Sequence, residues 1–180
     1  MNVLILNGSP RKNGNTSLMI REFLKYLNDE KFTHEILVLH GMKIKPCNDC
    51  RACKSGDLLC TVEDEMQDIY QKIDNSQLLI FATPIYWYTT TAQMKLLIDR
   101  LRPYYKNEKL KGKKAILFLP AGSGSGDCDL TIEMFKKVFN TLQVEFVGAA
   151  TAKAYDEGDV LNDKIALKEI YELAHRVMPV

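Results

Sequence analysis

Four of the five cysteines fall within fourteen residues, at Cys47, Cys50, Cys53 and Cys60, in the spacing C-x2-C-x2-C-x6-C. An x2 interval lets successive thiolates converge on one centre. Runs with this core ligate iron-sulfur clusters, and Cys60 completes a set of four thiolates. Zinc more often takes two separated pairs, so the overlapping run suits it poorly. Disulfides are disfavoured in a reducing compartment. Three readings stay open for these residues: a [4Fe-4S] cluster, a zinc ion, or a loop that holds nothing. Cys128 stands apart in a later loop and reads as an incidental thiol.

A second chemistry lies in Gly8-Ser9-Pro10-Arg11-Lys12-Asn13-Gly14-Asn15-Thr16-Ser17. Glycines turn the chain tightly, hydroxyls and amides supply donors, and a following helix N-terminus adds unpaired N–H groups and partial positive charge. That suits a phosphate. A Walker A loop would place Lys-Ser/Thr directly after Gly14, where Asn15-Thr16 stands, which disfavours a nucleoside triphosphate. Gly122, Gly124 and Gly126 likewise miss the dinucleotide spacing G-x-G-x-x-G. One monoester phosphate, as on FMN, is the better fit. The structural alternative is that Asn15 or Thr16 merely caps the helix.

A third group, Thr83-Pro84-Ile85-Tyr86-Trp87-Tyr88, carries the single Trp of the chain. Pro84 stiffens the turn, and the amides after it could meet the carbonyls and ring nitrogens of a flat heterocycle flanked by Tyr86 or Trp87. Packing of these aromatics on the core or on another subunit is the competing explanation. Ala121-Gly122-Ser123-Gly124-Ser125-Gly126 is flexible enough to close a crevice beside them.

These residues need a scaffold, and hydrophobic patterning supplies one. Short apolar runs at 2–7, 35–39, 78–83, 115–121 and 145–150 read as strands. Their near-continuous apolarity is that of parallel strands buried on both faces. Helical periodicity covers 16–27, 63–73, 92–101, 130–139 and 162–177, and the polar stretch 103–114 reads as a surface connection. Alternating strands and helices predict an α/β sandwich of flavodoxin-like strand order 2-1-3-4-5. The whole of residues 1–180 reads as one domain. Ligands of such sheets bind outside the carboxyl ends of the strands, at the switch between strands one and three. The loops after Asn7, Thr83 and Ala121 are the ones that fold would bring there.

Composition narrows the partner. With 24 basic and 23 acidic residues and a net charge of +1, the chain has no basic footprint for nucleic acid or a membrane surface. No apolar run approaches the ~20 residues of a membrane span, and the N-terminus does not read as a signal peptide, so a cytoplasmic location is expected. His34, His40 and His175 form no metal motif, and neither a C-x5-R phosphatase loop nor a G-x-S-x-G elbow is present. With no protein nucleophile to nominate, a cofactor is expected to carry the reaction.

Asn7-Gly8-Ser9-Pro10-Arg11, Asn15-Thr16, Thr83-Pro84-Ile85-Tyr86-Trp87 and Lys95-x3-Asp99-Arg100 together resemble the NADPH-dependent FMN reductase-like family. The resemblance runs from Met1 to about Arg102. It implies FMN phosphate on Ser9, Arg11, Asn13, Asn15, Thr16 and Ser17, and the isoalloxazine along Thr83, Pro84, Ile85, Tyr86 and Trp87. Ala121, Gly122 and Ser123 would close the far side. It also implies NAD(P)H as co-substrate and a homodimer or homotetramer with flavin near a subunit interface. The cysteine run resembles that of the iron-sulfur flavoprotein branch, in which a [4Fe-4S] centre on residues such as Cys47, Cys50, Cys53 and Cys60 exchanges electrons with FMN. Other reductases of the family carry similar cysteines without a cluster. Asp64-Glu65-Met66 resembles a family Asp-Asp-Met pattern with one acidic residue changed. The function implied is FMN-dependent oxidoreduction fed by NAD(P)H or ferredoxin. A non-catalytic or zinc-stabilised module on the same fold is the alternative.

Overall fold

A computed structural model describes residues 1–27 and 31–178. Five strands form one parallel sheet of order β2-β1-β3-β4-β5: β1 (Asn2–Asn7), β2 (Thr33–Val38), β3 (Leu78–Ala82), β4 (Lys114–Ala121) and β5 (Glu145–Lys153). The helices are α1 (Asn15–Tyr26), α2 (Met66–Asp74), α3 (Ala92–Asp99), α4 (Tyr104–Asn107), α5 (Asp129–Thr141) and α6 (Lys164–Val177).

Alternation along the central strands sends side chains to two cores. Val3, Ile5, Leu78, Ile80, Ile116 and Phe118 pack under α1 and α6. Leu4, Leu6, Leu79, Phe81, Leu117 and Leu119 pack under α2, α3 and α5. Every residue of β3 is buried, as its unbroken apolar run requires. The edge strands depart more from expectation. β2 starts two residues early and is largely exposed, so packing constrains its ends weakly. β5 runs three residues past the expected end and contains a bulge, where Gly148 follows the unpaired Val147 at φ 154°. A Cβ on Gly148 would lie 2.8 Å from Leu173 Cδ2, so glycine allows both the bulge and the close approach of α6.

Two helical regions also differ from expectation. α2 begins at Met66 rather than at residue 63, because Asp64 Oδ1 accepts the Met66 amide at 3.0 Å and the carboxylate is engaged elsewhere. The stretch 103–114 is more than a surface connection: it contains α4 and buries Tyr104 and Leu110. No helix among the described residues is long and apolar enough to cross a membrane.

Candidate functional site

The carboxyl ends of β1, β3, β4 and β5 open into a crevice of about 310 Å³. Its first wall is the loop between β1 and α1. Buried Asn7 braces that loop, donating from Nδ2 to Ser17 Oγ at 3.3 Å and accepting the Ser9 amide on Oδ1 at 2.9 Å. Gly8 N donates to Ala82 O at 2.8 Å, and Thr91 Oγ1 donates to Gly8 O at 2.9 Å. A Cβ at Gly8 would fall 3.0 Å from that same Thr91 Oγ1. The chain thus passes tightly between β3 and α3 before it turns.

Helix α1 then starts at Asn15 with extended Gly14 ahead of it and no side-chain cap, so neither Asn15 nor Thr16 is the capping residue. Leu18 is the first residue of the helix whose amide reaches a helical acceptor, Gly14 O at 3.1 Å. The amides of Asn15, Thr16 and Ser17 form the first turn of α1, the helix end at which negative charge is favoured.

Ser9, Arg11, Asn15 and Thr16 line the crevice, and among the described residues Arg11 is the one cation in its walls. Ser17 lies behind them, its hydroxyl tied to Asn7 and to Arg11 O. Asn13 is turned outward, where its Oδ1 accepts from Arg21 Nη2 at 2.9 Å. The Asn15 side chain has a separate task. Its Nδ2 donates to Asp156 O at 2.7 Å and its Oδ1 accepts from Gly158 N at 3.1 Å and Val160 N at 3.4 Å, clamping the loop after β5.

From the β3 side, Pro84, Ile85 and Tyr86 line the crevice. Thr83 lies beneath, accepting the Thr91 amide on its hydroxyl at 3.2 Å and donating to Pro84 O at 3.1 Å. The expectation of free amides after Pro84 needs correction. Ile85 N donates to Pro120 O at 3.1 Å and Tyr86 N to Thr89 O at 2.8 Å, leaving only the turn itself, Trp87 and Tyr88. Both turn residues have positive φ, 50° and 64°, which side chains rarely tolerate, and Trp87 is 92% exposed.

On the third side Gly122 lines the crevice; Ala121 is buried beneath it and Ser123 is exposed. Pro120, Ala154 and Tyr155 complete the lining and were not anticipated. Tyr155 lies over Gly122, where a Cβ would come within 3.1 Å of its ring. The available signal was an aromatic residue in the polar segment directly after the fifth strand, at the ligand-binding end of the sheet.

The cysteine run lies away from this crevice. Cys47, Cys50, Cys53 and Cys60 all line one small cavity of about 20 Å³, shared with Arg100 and Arg102. Cys53 is buried, Cys47 and Cys60 half-buried and Cys50 exposed. Burial pushes the Cys53 thiol up, whereas hydrogen bonds from the Ala52 amide and Thr61 hydroxyl pull that of Cys50 down. The loop is irregular except for one 3-10 turn, Ala52–Lys54, and Asp49, Arg51 and Leu58 sit at positive φ. Its base is firm. Arg100, 1% exposed, donates from Nη1 to Asp64 Oδ2 at 2.6 Å and from Nη2 to Asp64 Oδ1 at 3.2 Å. It also holds Lys45 O and Val62 O, on either side of the cysteines. Burial would raise the Asp64 pKa, but the Arg100 hydrogen bonds and the Lys45 and Met66 amides outweigh it and hold the carboxyl below its usual value.

Among the described residues, no group of three or more His, Cys, Asp or Glu side chains is already placed to hold a metal ion. The four cysteines are of the donor type that ligates iron-sulfur clusters, but their thiols are not gathered around one centre here. All four cysteines line one cavity with Arg100, and Arg100 Nε is a buried donor without a partner. Cys128 takes no part: it is buried, its thiol donates to Leu119 O at 3.4 Å, and burial pushes its pKa up to about 12.

A parallel 2-1-3-4-5 sandwich with a hydroxyl-and-amide phosphate loop at its switch point defines a flavodoxin-like flavin-binding protein. The family model for NADPH-dependent FMN reductase matches residues 1–156, and the chain belongs to that family. FMN is therefore its cofactor and NAD(P)H its co-substrate.

An iron-sulfur flavoprotein of Methanocaldococcus jannaschii is 30% identical, with the alignment covering 100% of this chain and 97% of that protein. YwqN of Bacillus subtilis, whose name describes a NAD(P)H-dependent FMN-containing oxidoreductase, is 29% identical over 98% of each chain. In fold, the chain is similar to the structure titled Trp repressor binding protein from Bacillus subtilis, with a TM-score of 0.73, 23% identity, and coverage of 98% of this chain and 99% of that one.

Proposed function

We propose that this oxidoreductase is a two-centre electron-transfer flavoprotein, with FMN in the crevice and a [4Fe-4S] cluster on Cys47, Cys50, Cys53 and Cys60. The observation that carries the second centre is that Cys47, Cys50, Cys53 and Cys60 all line one cavity together with buried Arg100. Names of several relatives support it, the M. jannaschii protein among them.

In this reading Ser9, Arg11, Thr16 and the first-turn amides of α1, through Ser17, hold the FMN phosphate. Asn15 contributes its amide while its side chain holds the β5 loop, and Asn13 steadies the outer turn through Arg21. Pro84, Ile85 and Tyr86 lie along the ring, supported from below by Thr83 and closed by Ala121, Gly122 and Ser123. Trp87, exposed on its turn, belongs to the surface that a second copy covers in a homodimer or homotetramer. Bound FMN supplies hydride acceptance from NAD(P)H and single-electron transfer. Pro84, Ile85, Pro120 and Ala154 supply the apolar contacts of the crevice, and Arg11 with the helix terminus balances the phosphate charge. All 180 residues serve one flavin-binding domain in the cytoplasm, and electrons enter from NAD(P)H or a protein donor.

Anaerobic purification tests the reading. Two resolved flavin bands with a broad brown absorption between them, and about four iron and four sulfide per chain, are expected for one [4Fe-4S] centre. Flavin bands alone after anaerobic reconstitution, or stoichiometric zinc, would reduce the protein to a one-centre reductase.

A further inference from the structure

Tyr155 is an exposed aromatic residue on a firmly held loop. It follows β5, is 78% exposed, and lines the crevice beside Ala154. Its ring packs on Gly122, where a Cβ would come within 3.1 Å of Cδ2 and 3.9 Å of Cε2. Glycine at that position is what lets the ring settle on the loop after β4. Single exposed aromatics are common on protein surfaces. This one stands in the wall of an opening of ligand size, and its backbone is fixed at several points.

The holds on that backbone come from different sides. Ala154 N donates to Ala121 O at 2.9 Å, tying the loop to the end of β4. Asp159 Oδ2 accepts the amides of Tyr155 at 3.0 Å and of Asp156 at 2.8 Å. Buried Asn15 reaches in from α1: Nδ2 donates to Asp156 O at 2.7 Å, while Oδ1 accepts from Gly158 N at 3.1 Å and Val160 N at 3.4 Å. Gly158 sits at φ 96°, which glycine adopts without strain. The Asn15 side chain is therefore directed at this loop, while its backbone amide stays in the first turn of α1. One side chain joins the anion end of the crevice to the wall that carries Tyr155.

We infer that Tyr155 is a flavin-contacting wall of the crevice and that Asn15 is the positioning residue that holds it there. The inference rests on the reading that places FMN in this crevice. Tyr155 is uncharged and its ring packs on the loop after β4, so it serves the part of the cofactor that FMN shares with riboflavin. Covering the ring with a flat heterocycle takes apolar surface of both out of water. Asn15 acts through the loop rather than through a side-chain bond to the phosphate.

The test uses full-length protein freed of flavin and measures the binding of FMN and of riboflavin by equilibrium dialysis. Tyr155→Ala should weaken both about tenfold, since both lose the ring contact. Tyr155→Phe, which keeps the ring, should stay within about twofold of the wild type. Asn15→Ala keeps the first-turn amide and frees the loop. It should weaken FMN and riboflavin by the same factor, and by much less in the Tyr155→Ala background. Asp159 holds the same loop from outside the crevice lining, so Asp159→Ala should repeat that pattern. It decides where Asn15→Ala fails to fold, as judged by circular dichroism. Unchanged binding in Tyr155→Ala would overturn this inference alone. So would a loss in Asn15→Ala that is confined to FMN or undiminished in the Tyr155→Ala background. FMN binding that survives Arg11→Glu undiminished would take the flavin out of the crevice and overturn the inference together with the reading beneath it.

Discussion

The crevice and the cysteine loop are built on opposite plans. Regular elements complete the crevice: sheet ends, a helix start and crossed hydrogen bonds such as Gly8 N to Ala82 O and Ile85 N to Pro120 O. Its volume, about 310 Å³, is already on the scale of a small-molecule site. The cysteine loop is firm only at its base, where Arg100 and Asp64 join its two ends. Its cavity of about 20 Å³ is water-sized, and three of its non-glycine residues occupy positive φ. A fold can therefore preform one site as a by-product of its topology, whereas a group held by the cysteines would require that loop to open. Binding at the first resembles docking; binding at the second would include remodelling of the loop.

The sharpest way to separate the two regions is Cys53→Ser. Iron and sulfide should drop from full loading to near zero while FMN binding stays within about twofold, since no cysteine lines the crevice. Parallel loss of FMN would show that the sites are one unit. Next in size is Asp64→Ala, which strands Arg100 as an unpaired buried charge at the base of the loop. Chemical denaturation should show a loss of about 3–5 kcal/mol at neutral pH.

The same pair sets a pH dependence. Asp64 titrates below its usual 3.8 in the folded protein, so its contribution is fully present above that value and is lost as pH falls through the folded pKa. The stability gap between wild type and Asp64→Ala should therefore narrow only in strong acid. A gap that closes already near neutral pH would contradict the ion pair.

Gly122→Val probes the crevice alone. A Cβ there falls 3.1 Å from the Tyr155 ring, so the ring must swing and the branched side chain fills part of the lining. FMN affinity by fluorescence quenching should weaken about tenfold, or 1.4 kcal/mol, with iron loading unchanged. The smallest effect belongs to the Trp87-Tyr88 turn. Trp87→Asn with Tyr88→Gly relieves two positive-φ positions and should stabilise the folded chain by about 1 kcal/mol. Sedimentation should at the same time show weaker self-association. Undiminished assembly would remove Trp87 from the subunit surface.

Much of this was legible in the residues. β3 could be read because all five of its side chains are buried, so the apolar run has no gap. The edges were less legible, since β2 exposes most of its residues and the bulge in β5 breaks the pleat. Thr16 and Pro84 were placed at the crevice by the fold's topology alone. Asn15 was recognised as a site residue, but not as the clamp on residues 156–160, because that contact spans more than 140 positions. Tyr155 was missed for the same reason.

The sequence by itself determined the sandwich, the loops at its switch point and the unusual spacing of four thiols, because periodicity, turn chemistry and ligand spacing are all local properties. Asp64 and Arg100 were each visible as parts of short motifs, yet nothing local joins residues 36 positions apart. Only the tertiary structure decided that they form one buried pair with a spare N–H, since burial and unpaired donors arise from which segments pack together.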